Sequence, residues 1–350
     1  MKNLKFYIPV VAMAFLQSCA TSTPKGDSAS TFNEYAQHLS GSAFKKSFKS
    51  IDAEQLKKHL YIVASDEMEG RDTGSEGQKK AGRYLIDEYK KMGVSHPKSL
   101  KDYYQIVPKE ALMGRRGNLP ESENILAFIE GSEKPDEVLV ISAHYDHVGT
   151  KNGKVYNGAD DDGSGTVALL EIAEAFQLAK KSGNGPKRSI LFLHVTGEEH
   201  GLLGSDYYSK NPIFPLANTV VNLNIDMIGR CDPNNCGKDY VYVIGSEMLS
   251  TDLKKINVAA NDTTTKLELN YKYDDPNDTE RLYYRSDHYN FAKHGIPVAF
   301  FFDGIHEDYH QPTDDAEKID YNSLQKRTQM IFATAWELAN RKDRIMVDVK

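Results

Sequence analysis

A chain of 350 residues, 40 % of them hydrophobic, carries enough apolar material for a substantial core, which excludes a disordered or fibrous protein. The formal charge of −7, with no concentrated Lys/Arg stripe and interleaved aromatics, supplies no field for holding phosphates, so nucleic acid is excluded as a partner.

At the N-terminus, Lys2 and Lys5 flank a mostly apolar run, Ile8 to Leu16, that is too short to span a bilayer; residues 1–18 read as the signal peptide of an exported protein. The run ends in Leu16-Gln17-Ser18-Cys19, which is similar to the lipobox of bacterial lipoproteins, where the chain is cut before the cysteine and its thiol takes the lipid. Acyl chains on Cys19 would anchor the mature protein to a membrane without spanning it, facing the periplasm or the cell exterior. Residues 19–31, rich in Ser, Thr, Pro, Lys and Gly, read as a flexible tether, and one folded domain is expected over 32–350.

Helical periodicity covers Ala53 to Val63 and Glu76 to Met92. Short apolar runs at Asn124 to Ile129, Glu137 to Ser142, Ser189 to Val195, Val220 to Ile225, Tyr240 to Ile244 and Pro297 to Phe302 predict strands buried on both faces. Helical stretches at Thr166 to Lys181, Ser250 to Ala260, Ser286 to His294 and Leu324 to Arg341 lie between or after them. This alternation predicts an α/β domain with a central mixed, mostly parallel sheet flanked by helices. Cys231 and Cys236 form an even pair in an exported chain and suit a small local disulfide; zinc binding by this pair alone is excluded because a structural site needs four ligands.

Five acidic or imidazole clusters fall at the C-terminal ends of predicted strands: His144 with Asp146, Asp160 to Asp162, Glu198 with Glu199, Asp226, and His310. In open α/β sheets that edge binds ligands, and so much negative charge in one crevice needs a cation. Carboxylates combined with imidazoles suit zinc, with manganese or cobalt as substitutes. Each motif alone has a commonplace reading as a solvated turn or a helix surface; their order and strand-end placement together carry the inference.

The ordered set SAHYDHVG, NGADDDGSG, GEEHGLLGS, NIDMIG, RSDH and YHQPTDD, within a stretch from about Ile51 to Asp320, resembles the M28 family of zinc peptidases. That resemblance implies the zinc aminopeptidase fold and two zinc ions: Asp161 bridging both, His144 and Asp226 completing one, Glu199 and His310 the other. It implies Glu198 as general base, a cis bond from Asp161 to Asp162, Asp146 and Asp314 as carboxylates orienting the ligand imidazoles, Tyr309 as a donor to the oxyanion and Arg285 as a substrate contact. Gly163 and Gly165 are expected to let the backbone turn tightly into the next helix. His147, His200 and His306 lie near the site in sequence and receive no role.

The function expected is removal of the N-terminal residue from peptides with a free α-amine. The alternatives weighed are a carboxypeptidase or dipeptidase of the same fold, with Arg71, Arg230 or Arg285 holding a free carboxylate; a glutaminyl cyclase, against which the retained DDGSG segment and the lone Trp336 stand; and a non-catalytic peptide-binding lipoprotein, against which the intact ligand set stands.

Overall fold

The apolar runs form strands, and the amphipathic runs form helices that cover them, in a computed structural model that describes residues 1–2, 34–114, 117–275 and 277–349. The expected signal peptide beyond Lys2, the tether and Cys19 lie outside the described residues.

Eight strands make the central sheet: β1 (Tyr104–Val107), β2 (Ser122–Ile129), β3 (Lys134–His144), β4 (Arg188–Val195), β5 (Thr219–Ile225), β6 (Tyr240–Ile244), β7 (Glu268–Asn270) and β8 (Val298–Phe302), in spatial order β1-β2-β4-β3-β5-β8-β6-β7. The inner pairs β4/β3, β3/β5 and β5/β8 are parallel and so is β6/β7, whereas β1/β2, β2/β4 and β8/β6 are antiparallel. Every residue of β4, β5, β6 and β8 is buried, which is why these strands read as mostly apolar runs, with Asn222 and Asn224 of β5 among the buried polar exceptions.

The helices are α1 (Ser42–Ser50), α2 (Ala53–Val63), α3 (Glu76–Met92), α4 (Gly165–Lys181), α5 (Leu203–Lys210), α6 (Thr251–Thr263), α7 (Tyr289–Ala292) and α8 (Tyr321–Asn340). One face of the sheet packs α4 and α8 through Val167, Leu170, Phe176, Phe332 and Trp336; the other packs Tyr208 of α5 and Phe291 of α7 on Val140, Leu191 and Leu193. The helix expected over residues 286–294 shrinks to the single turn of α7; ahead of it Ser286 donates to Asp226, Asp287 accepts from Ser205 and His288 stacks on Phe300. Strands β1 and β7 and helix α1 had no clear sequence signal: the two strands are short sheet edges that gain their pairing from β2 and β6.

After β3 the chain crosses through α4 to β4 on one side, then returns to place β5 on the other side of β3. That reversal opens a crevice at the C-terminal ends of β3, β4, β5 and β8, the place where ligands bind in such sheets.

Candidate active site

All the expected ligands but Asp161 come from these strand ends or the segments after them. His144 ends β3, Glu198 and Glu199 follow β4 in a turn closed by Gly201 and Leu202 amides on the Glu198 carbonyl, Asp226 follows β5, and His310 lies in the segment after β8. Asp161 comes from the loop entering α4, and its bond to Asp162 is cis. Gly158 opens that loop in the left-handed region (φ 53°), where a side chain would be strained. Gly163 and Gly165 serve differently from the expectation: neither has positive φ, and a Cβ on Gly165 would lie 2.4 Å from the Asp162 carboxylate, so what their missing side chains provide is close approach.

Two groups of donors share Asp161. In one, His144 Nε2 is 3.2 Å from Asp161 Oδ1 and 3.6 Å from Asp226 Oδ1. In the other, His310 Nε2 is 3.0 Å from Asp161 Oδ2 and 3.1 Å from Glu199 Oε2, and His147 Nδ1 is 2.8 Å from Glu199 Oε1. Asp161 Oδ2, Glu199 Oε1 and both ring nitrogens of His147 are buried without a hydrogen-bond partner. Buried polar atoms left unpaired are costly unless something joins them. These nitrogens and carboxylate oxygens, aimed together, fit a divalent cation of the zinc type.

The protonation preferences point the same way. Burial disfavours a charged His310, yet the close carboxylates of Asp161 and Glu199 push it up to about 10; burial raises Glu199, its neighbour Asp161 raises it further, and His147 and His310 override both to hold it at about 2. Positive charge is strongly favoured at this point. Glu198 behaves in the opposite way: burial of its carboxyl pushes it well above the usual range, His144 opposes this, and Asp226, Asp287 and Glu199 add to it. A carboxyl so raised binds a proton more readily than an ordinary carboxylate, which suits a group that takes up and returns one.

A buried network fixes this arrangement. His144 Nδ1 meets the main-chain oxygen of Asp146 at 3.0 Å, while the Asp146 carboxylate, 3.8 Å away, accepts from the Glu198 amide and the Thr73 hydroxyl. Asp146 thus orients His144 mainly through its backbone. Asp314 departs from the expectation: its carboxylate accepts from the Asp160 and Asp161 amides, so it sets the backbone of Asp161 rather than the His310 ring. Asp162, which carried no expected role, accepts from the amides of His144, Gly165 and Met227, tying three ligand-bearing segments together. Asp226 Oδ2 receives the Ser286 hydroxyl at 2.7 Å, and Ser286 in turn receives Asn224 Nδ2.

The sequence profile of peptidase family M28 matches residues 124–335. The chain belongs to that family. It is 30 % identical over 224 residues to a probable leucine aminopeptidase of Trichophyton verrucosum, a match covering 62 % of this chain and 57 % of the relative, so the chain spans little more than half of that protein's length. Its fold is similar to that of a zinc aminopeptidase from Bacillus subtilis (TM-score 0.63, 16 % identity, covering 86 % of this chain and 99 % of the other). It is equally similar to that of a glutaminyl cyclase from Porphyromonas gingivalis (TM-score 0.62, 20 % identity, 81 % and 97 % covered), so fold alone does not separate these two chemistries.

Beside the donor groups of this M28 chain lies a pocket lined by Asp161, Glu198, Asp226, Met227, Leu282, Phe300, Phe302 and Ile305, with Arg285 and Tyr309 also on its wall. Tyr309 stacks on the His310 ring, centroids 4.0 Å apart, and burial together with the carboxylates of Asp161, Glu198, Glu199 and Asp226 keeps its hydroxyl protonated. Arg285 is exposed and forms no ion pair among the described residues. Arg71 is buried and donates to the carbonyls of Val63, Tyr145, Asn157 and Gly158, and Arg230 pairs with Asp308, so neither is available to a substrate carboxylate. Cys231 and Cys236 form a disulfide, and Asp232 between them packs against Gly304 of the segment leading to His310.

Proposed function

We propose that this protein is a metallo-aminopeptidase that removes an apolar N-terminal residue from peptides with a two-zinc, Glu198-dependent mechanism. The observation that carries the reading is the pair of donor groups sharing Asp161 with Glu198 beside them, opening onto a pocket that has apolar residues on one part of its wall. Zinc is the metal proposed because imidazoles join the carboxylates in both donor groups and because the printed names of relatives include zinc enzymes; those names support the reaction as well. Ions held by His144, Asp161 and Asp226, and by Asp161, Glu199 and His310, would lower the pKa of water and polarise the scissile carbonyl.

The remaining steps belong to the protein's own side chains. Glu198 takes the proton from the attacking water and returns it to the departing amine. The Tyr309 hydroxyl, kept protonated by its surroundings, donates to the developing oxyanion. The carboxylates of Glu198 and Asp226 receive the free α-amine, and Met227, Leu282, Phe300, Phe302 and Ile305 take the first side chain by apolar burial. Arg285, at the pocket mouth, is placed to donate to the peptide carbonyls that follow.

Hydrolysis of aminoacyl-p-nitroanilides is the test. Leucyl and phenylalanyl substrates should be cleaved, N-acetylated ones refused, and activity should disappear with a chelator and return with Zn²⁺. Glu198→Gln should lose at least about 10²-fold in kcat while its metal content is unchanged. Cleavage of blocked substrates, or indifference to the chelator, would remove the proposal.

We further propose export and lipid anchoring through Cys19, supported by the Leu16-Gln17-Ser18-Cys19 motif. No helix among the described residues is long and apolar enough to cross a membrane. Cys19→Ser should move the protein from the membrane to the soluble fraction of a producing cell.

A further inference from the structure

His147 stands three residues after His144, and its side chain is wholly buried. Its Nδ1 lies 2.8 Å from Glu199 Oε1 and 3.8 Å from Asp161 Oδ2. On the same two carboxylates, His310 Nε2 stands at 3.0 and 3.1 Å. Donors held about 2.0–2.2 Å from one tetrahedral zinc ion are about 3.3–3.6 Å from one another, and these separations bracket that edge length. The Nδ1 to Oε1 approach has the length of a hydrogen bond, yet both atoms remain without a hydrogen-bond partner, as does Asp161 Oδ2. His147, Asp161 and Glu199 thus each offer a donor atom within 4.8 Å of the other two.

Gly158 makes room for this ring. A Cβ there would lie 2.4 Å from His147 Cγ, so any other residue at 158 would displace the imidazole. The ring is also packed edge-on against the His310 ring, centroids 5.7 Å apart, and so has no free path away from the carboxylates.

We infer that His147 is a fourth protein ligand to the ion held by Asp161, Glu199 and His310, so that the two metal sites are unequal. This inference rests on the two-metal reading above. Four protein donors hold an ion more tightly than the three donors His144, Asp161 and Asp226 do, and a zinc ion with four protein ligands can still expand to five-coordinate to take water. The His147 site therefore fills first and retains its ion, and the His144 site exchanges more readily.

Metal-stripped protein titrated with Zn²⁺ against a chromophoric chelator tests this. The wild type should take up two ions with distinct affinities. His147→Ala should weaken the tighter one by about 10–100-fold or more, leaving the weaker within a few-fold of its original value. Equal affinities in the wild type, or an unchanged tight constant in the variant, would overturn the inference. Uptake of only one ion would remove the two-metal reading and the inequality with it. A second measurement needs no variant: the Co²⁺-loaded wild type should show paramagnetically shifted imidazole N–H resonances from His144, His147 and His310, and a spectrum with signals from His144 and His310 alone would equally overturn it.

Discussion

Glu171 shows how far the fold tolerates a buried acid away from the catalytic crevice. It lies on α4 with its side chain 1 % exposed, accepts from the Asp52 amide, and has only His59 Nε2 at 3.8 Å near its second oxygen. Burial pushes the carboxyl up to about 8, and burial likewise lowers His59, so the imidazole offers no counter-charge. A carboxyl raised from 4.5 to about 8 contributes its full stability below pH 4.5, and that stability is lost as pH rises through about 8. Glu171→Gln should therefore gain on the wild type in thermal unfolding between pH 5 and pH 8, by up to about 3–5 kcal/mol, and parallel unfolding temperatures across that range would contradict the assignment. Ser286 is a second residue whose contribution is local and measurable. Ser286→Ala would leave Asp226 Oδ2 and Asn224 Nδ2 without their buried partner and should cost about 1–3 kcal/mol, with weaker metal retention seen in chelator competition. Of the residues at this scale, the proposed ligands His144, Asp161, Glu199, Asp226 and His310 could be named from the sequence because each lies within a recognisable short motif. His147 could not: three residues beyond His144 and past the end of the strand its side chain could face either way, and only the fold of the Gly158 loop against it places the ring on Glu199.

The elements read from the sequence were the long or fully buried ones. Helices α3, α4 and α8 and strands β3, β4, β5 and β8 carry their own periodicity or apolar runs, so local pattern suffices. The edge strands β1 and β7 exist by pairing with β2 and β6, and such pairing has no local signature. The start of α4 is where an element and the site meet. Gly165→Ala would press a methyl group on the Asp162 carboxylate, which binds the amides of His144, Gly165 and Met227. It should cost about 1–3 kcal/mol in denaturant unfolding and lower metal affinity, whereas Gly183→Ala, where a Cβ meets nothing but φ is 78°, should cost about 1 kcal/mol and leave metal affinity untouched.

At the scale of the molecule, folding gathers Asp146, Asp160, Asp161, Asp162, Glu198, Glu199, Asp226, Asp287, Asp303 and Asp314 at one end of a sheet, and of these only Asp303 has a buried Arg partner, Arg327. Such a concentration of acid repels itself unless protons or cations offset it. Added Zn²⁺ should accordingly raise the unfolding temperature, by the equivalent of about 2.7 kcal/mol at a hundredfold excess over the dissociation constant, and a chelator should lower it; an unfolding temperature insensitive to both would count against a metal-binding fold. The sequence by itself determined the α/β class, the peptidase family and the strand ends from which the chemistry comes, because apolar runs and short motifs are local properties. Which imidazoles share which carboxylate, that Asp314 and Asp162 grip backbone amides, and that His147 reaches the donor group of His310 were decided only by the tertiary structure. Those facts depend on distances between segments separated by tens to hundreds of residues, which the packing of the sheet sets and no local pattern records.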